Sequence, residues 1–148
     1  MKIYNLFAAF ALLLLGTMGC AGVGGGGDSI ASLTQSRMNS LSNTLNSGVV
    51  GTVMENFSSD FVDNSTGELL TREQYRQRVA NFFAAGGREH FEDLQAGNLT
   101  DEGAGEFSQT YTGTKVVEIN RRVDRLNFRL VYSFRIVGGA CLIRYTQQ

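Results

Sequence analysis

The fold is decided by residues 126–146, LNFRLVYSFRIVGGACLIRYT. From Leu126 to Ile136 every second residue is apolar or aromatic, and this period of two predicts a strand with one face on the core. Gly138-Gly139 predicts a two-residue hairpin turn, after which the chain returns as a second strand over 140–146. The end of the chain is therefore predicted to be an antiparallel hairpin.

The same period of two extends upstream of this hairpin. Residues 105–120, which contain QTYTGTKVVEI, predict a further long strand, and residues 90–100 predict another. Together these segments predict a meandering antiparallel sheet after Gly87.

The first half of the chain is predicted to be mainly helical. Residues 29–45 carry an apolar stripe that includes Met38 and Leu41. Spacings of three and four predict a second helix, whose apolar face consists of Val50, Val53, Met54, Phe57 and Phe61.

A short extended pair is predicted around a turn at 64–67, followed by a third helix. Thr71 and Gln74 have the spacing of a capping box at its start, and Gly86-Gly87 marks its end. Helices followed by strands predict an α+β fold, with N-terminal helices packed on a curved antiparallel sheet over residues 29–148.

Composition excludes one class of partner. The 148 residues include 13 basic and 14 acidic side chains, which gives a net charge of −1. No basic surface large enough for a phosphate backbone is implied, so we expect no nucleic-acid partner.

Residues 1–19 have the layout of an export signal. Lys2 is followed by the apolar run LFAAFALLLL (6–15) and then by small residues. That run is shorter than the roughly 20 residues a membrane-spanning helix needs. Gly19-Cys20-Ala21 resembles the lipobox of bacterial lipoproteins, which implies lipidation at Cys20; the alternative is an ordinary signal peptide cut near Gly19 or Ala21.

Residues 20–28 supply the lipidated cysteine and a glycine-rich tether, since four consecutive glycines favour a flexible coil. We therefore expect an exported protein held at the membrane by its lipid. The resemblance to lipoproteins implies the periplasmic face of the outer membrane if the cell has two membranes, because Ala21 rather than Asp follows the cysteine.

The domain resembles the nuclear transport factor 2-like superfamily, whose cone-shaped α+β fold is shared by ketosteroid isomerases and SnoaL-like cyclases. The matching segments are VMENFSSDFVDNSTG, LLTREQYRQRVANFF and FRLVYSFRIVGGACLIRY. Many members carry Trp after the terminal glycine turn, where this chain has Cys141. The resemblance also implies sheet-to-sheet pairing, hence a homodimer.

The resemblance implies a carboxylate base just after the second helix, close to Asp63. Its hydrogen-bond donors would be a Tyr on the first helix and an acid on the penultimate strand, and this chain has neither; Tyr132 or Tyr111 would have to serve. The other interpretation of Asp63 is a turn residue that hydrogen-bonds its own backbone. We predict the turn role.

Aromatic side chains on the predicted strands are candidates for a pocket lining or for the core. These are Phe107, Tyr111, Phe128, Tyr132 and Phe134.

A metal site, a cofactor site and a basic docking face are the other possibilities that the residue types raise. His90, the one histidine, would face away from Glu89 and Phe91 on a strand, so we predict no metal site. No phosphate-binding loop is present, and we predict no cofactor. The arginines at 121, 122, 125, 129 and 135 favour surface ion pairs or, alternatively, a docking face for an acidic partner or lipid headgroups.

The functional prediction is a non-catalytic module at the cell envelope that binds a small apolar ligand or an envelope protein. The alternative is a small enzyme that transfers a proton on an apolar carbonyl compound within the cone.

Overall fold

The structure, a computed structural model, describes residues 26–148. The helices are α1 (Gly26–Ser47), α2 (Val50–Met54) and α3 (Arg72–Ala84). The strands are β1 (Phe57–Asn64), β2 (Leu70–Thr71), β3 (Arg88–Gly103), β4 (Glu106–Ile119), β5 (Arg122–Val137) and β6 (Ala140–Gln147).

The predicted export signal, Cys20 and most of the predicted tether lie outside the described residues. Helix α1 begins at Gly26, so it includes the last three residues of that tether. Glycine disfavours a helix but does not forbid one. The helix is thus longer than the apolar stripe predicted.

The six strands form one curved sheet in the order β2-β1-β6-β5-β4-β3, with helices packed on its concave face. The predicted α+β class is confirmed, with one change: β1 pairs with β6 in parallel, so the sheet is mixed. After β1 the chain passes through β2 and α3 to the far edge of the sheet. It then returns strand by strand, and β6 arrives beside β1 in the same direction.

The predicted second helix is wrong beyond Met54. Helix α2 ends there, and both Phe57 and Phe61 lie in β1. Residues four apart share a face in a strand as well as in a helix, so this spacing could not separate the two. Asn56 lies at the change, where its side-chain amide donates to the carbonyls of Thr52 and Val53.

Local signals near α3 and at the end of the chain are confirmed. Thr71 and Gln74 form both hydrogen bonds of the capping box. The glycine pair joins β5 to β6, and both Gly138 and Gly139 have the positive φ that such a turn requires.

The core lies between α1 and the concave face of the sheet. Its fully buried large side chains include Met38, Phe61, Tyr111, Phe134 and Ile143. The alternation on β5 is confirmed from Phe128 to Ile136, whereas Leu126, the fifth residue of the strand, is 52% exposed.

Curvature of the sheet arises where β3 and β4 pair irregularly. Their register shifts between Glu92 and Gln95, and Asp93 has a positive φ. Gly113 faces this bulge, and a Cβ there would lie 2.9 Å from the carbonyl oxygen of Glu92. The close approach therefore requires glycine at this position.

Within residues 26–148, no helix is long and apolar enough to cross a membrane.

Candidate functional site

A cavity of about 270 Å³ lies between the helices and the concave face of the sheet. Its lining comes from α1, β1, α3 and the facing surfaces of β3 to β6. The volume is close to the lower end of the range for small-molecule sites, about 300 Å³. The cone is therefore not filled by its own side chains.

Seven aromatic rings line the cavity. They come from β1, α3 and the sheet, and comprise Phe57, Phe61, Tyr75, Phe82, Phe91, Phe128 and Tyr132. Three of them form a contiguous cluster, because the Phe57 ring lies 4.2 Å from Phe61 and 5.2 Å from Tyr75, measured between centroids. Such a wall favours a ligand with an apolar body.

Glu89 lies among these apolar groups at the start of β3. Burial raises the pKa of its carboxyl group, and the charge of Lys115, whose Nζ is 4.0 Å from Glu89 Oε2, opposes the rise only in part. A raised pKa in the folded state makes the protonated form the stabilising one. That contribution is complete below 4.5, the ordinary pKa of a glutamate side chain, and is lost as the pH rises through the folded pKa.

Asp63 also lines the cavity and is 2% exposed. Its Oδ1 accepts a hydrogen bond from the Ser65 backbone N–H at 3.1 Å, as a turn residue does, and a second from the hydroxyl of Thr146 on β6. The carboxyl group thus ties the turn after β1 to the last strand. Within residues 26–148, no hydrogen bond joins it to Tyr132 or Tyr111.

Tyr75 and Tyr132 face the same space from α3 and β5. Burial raises the pKa of both hydroxyl groups, and the negative charges of Glu89 and Asp63 raise them further. The carboxyl groups of Glu89 and Asp63 therefore influence the pKa of both tyrosine hydroxyl groups across the cavity.

Two of the five predicted aromatic lining residues, Phe128 and Tyr132, do line the cavity. The other three candidates, Phe107, Tyr111 and Phe134, are not among the lining residues. Tyr111 and Phe134 are fully buried in the core, and Phe107 is half-buried opposite Phe134.

The reason is that α1 closes the end of the sheet that carries these three rings. Thr34 on α1 donates to Gln109 Oε1 at 2.8 Å, and the Tyr111 hydroxyl donates to the same oxygen at 3.0 Å. The Tyr111 hydroxyl is therefore already hydrogen-bonded, and Tyr111 is not among the lining residues, so it is no longer a candidate donor.

The arginines of the predicted basic cluster mostly form ion pairs. Arg122 pairs with Asp124, and Arg125 with Glu92. Arg135 contacts Glu106 and Asp60. The cluster is therefore largely neutralised by carboxylates within the fold.

Sequence reasoning missed Glu89, Lys115 and Tyr75 as cavity residues. The alternation of EHFED (89–93) placed Glu89 on the same face as Phe91, and both do line the cavity. A charged residue on the same strand face as an inward-facing aromatic residue was the signal that could have predicted Glu89 as a cavity residue.

Comparison with known proteins identifies the fold. No family model and no curated protein matches the chain. A ketosteroid isomerase-like protein of Erwinia carotovora is 9% identical, with a TM-score of 0.61. The alignment covers 78% of this chain and 92% of that protein's chain. A provisionally assigned dehydratase of the nuclear transport factor 2-like family, from Streptomyces avermitilis, is 10% identical with a TM-score of 0.67. The alignment covers 81% of this chain and 94% of that protein's chain.

A provisionally assigned scytalone dehydratase of Novosphingobium aromaticivorans has the same TM-score, 0.67, at 12% identity, and covers 80% and 82%. At these identities the similarity shows the fold alone. The domain therefore has the nuclear transport factor 2-like cone fold.

Proposed function

We propose that the chain is an exported lipoprotein whose cone domain binds a small, largely apolar molecule at the cell envelope. The cavity carries this proposal, because it combines aromatic walls with a few convergent polar groups. At about 30 Å³ of liquid volume per water molecule, 270 Å³ corresponds to a ligand on the order of 150–200 Da.

The anchor in this proposal is Cys20, and the reasons for it are in the sequence. The apolar run 6–15 is too short to span the bilayer, and a cysteine followed by a glycine-rich segment suits a lipid tether.

Binding is tested by filling the cavity. Val79 lies on α3, is 6% exposed and lines the cavity, so Val79→Phe extends a ring into the ligand space. We expect its affinity for 2-phenylethanol or 2-phenylethylamine, whichever binds the wild type more tightly, to fall at least about tenfold by titration calorimetry. Val137→Phe makes the same change at a site that is 58% exposed and should bind as the wild type does.

Equal affinity of Val79→Phe and the wild type would contradict binding in this cavity. Circular dichroism of both variants separates lost binding from lost folding.

Proton transfer on a carbonyl compound is the second candidate, and the raised pKa of Glu89 favours it. A carboxyl group whose pKa is raised by burial can donate or accept a proton, and Tyr132 lines the same cavity with its hydroxyl group, which can hydrogen-bond a ligand oxygen. Chemical conversion of the natural ligand by the wild type, lost in Glu89→Gln, would support this candidate. A ligand returned unchanged by both would contradict it.

A further inference from the structure

We infer that the cavity takes a protonated amine with an aromatic or alicyclic body, held between the carboxylates of Asp63 and Glu89 and the surrounding rings. This inference rests on the proposed binding function and names the chemical class of its ligand.

The charges of the lining leave one negative group without a cationic partner. Of the charged lining residues, Arg78 is bound by Glu68 at 2.8 Å, and Lys115 is opposite Glu89 at 4.0 Å. Asp63 has no cation within salt-bridge distance in residues 26–148; its contacts are the Ser65 N–H and the Thr146 hydroxyl. An ammonium group would compensate this buried charge.

The negative charge of Asp63 reaches the tyrosine hydroxyl groups that face the cavity. Both Tyr75 and Tyr132 hydroxyl groups experience the negative charges of Asp63 and Glu89 together. A cation placed between Asp63 and Glu89 is attracted by both carboxylates, and water screens this attraction little inside the cavity.

Tyr132 gives an independent indication that a polar ligand group belongs here. It is 3% exposed and lines the cavity, and no hydrogen bond from another side chain contributes to its hydroxyl within residues 26–148. In that range, Arg72 Nε is the one side-chain nitrogen or oxygen that is both fully enclosed and without a hydrogen-bond partner. The Tyr132 hydroxyl also lacks a partner, so it is not fully enclosed and keeps access to the cavity space. Buried hydroxyl groups normally have a partner, and a ligand would supply it.

The walls fit the same ligand. Seven aromatic rings line the same cavity as the two carboxylates, and the negative faces of such rings attract cations. An anionic ligand would face two carboxylates, and both cationic lining residues already have acidic partners: Arg78 is bound to Glu68, and Lys115 lies 4.0 Å from Glu89. A neutral carbonyl compound could accept from Tyr132 but would leave Asp63 uncompensated.

Three probes of similar shape and different charge test the inference: 2-phenylethylamine, 2-phenylethanol and phenylacetate, titrated into the full chain by calorimetry. We expect the amine to bind at least about tenfold more tightly than the alcohol, and phenylacetate to bind most weakly.

Asp63→Asn removes the charge while its amide oxygen can still accept from Ser65 and Thr146. It should weaken the amine about tenfold and the alcohol less than about twofold. Glu118→Gln, at an exposed carboxylate outside the lining, should change neither.

The alcohol or phenylacetate binding as tightly as the amine would overturn the amine inference and leave the binding function standing. An equal loss for all three probes in Asp63→Asn would also overturn it, because the effect would then be structural. Failure of all three probes to bind the wild type at millimolar concentration would contradict the binding function itself.

Discussion

Replacing Phe134 by alanine is expected to lower the free energy of unfolding by about 3–5 kcal/mol. The ring is completely buried and packs against Tyr111 and Tyr132, with centroid distances of 6.2 and 6.3 Å. The neighbouring strands hold both tyrosines in place, so the space left by the ring cannot close, and the transfer cost and the cavity cost add. Urea denaturation followed by circular dichroism measures the change.

Leu126→Ala is the matched control, on the same strand and the same face. Leu126 is 52% exposed, so its loss should cost no more than about 0.5 kcal/mol. Similar costs for the two variants would mean that the helices do not cover β5 as the structure shows.

Loss of the lipid is the other large effect that we expect. Cys20→Ser should abolish incorporation of a labelled fatty acid in a bacterial host and release the protein from the membrane fraction. Burial of each acyl CH₂ contributes about 0.8 kcal/mol, so two acyl chains hold a protein firmly where one holds it only weakly. Residues 26–148 contain no helix that could substitute as a membrane span.

Cys141→Ser is the control for this experiment, since Cys141 is buried in the domain. It should keep the label and the membrane association. Unchanged label and retention in Cys20→Ser would rule out the anchor.

Much of the fold could be predicted from short-range patterns. The alternation on β5, the glycine hairpin and the capping box at Thr71 are each complete within a few residues, and each was confirmed. Where the chain changes from α2 to β1, the spacing of Phe57 and Phe61 fits either structure, and the outcome depends on pairing with β6 at the far end of the chain. No local pattern contains that information.

The cavity was harder to predict than the sheet, because both a core and a cavity are lined by apolar residues. Tyr111, Phe134 and Tyr132 share one face of the sheet, and whether each is covered depends on where α1 crosses it. Burial raises the pKa of Glu89, and this burial exists only in the folded protein, where α1 packs against β3. Asp63 accepts a hydrogen bond within the turn that follows it and also lines the cavity.

Native mass spectrometry of the full chain, purified gently from membranes, tests the central claim most directly. We expect a protein species carrying one additional molecule on the order of 150–200 Da, in keeping with the size of the cavity, which is released on denaturation. The same species should be absent from Val79→Phe and present in Val137→Phe. A wild-type spectrum that shows only the unliganded chain, or an adduct retained equally by Val79→Phe, would contradict a ligand-binding cone.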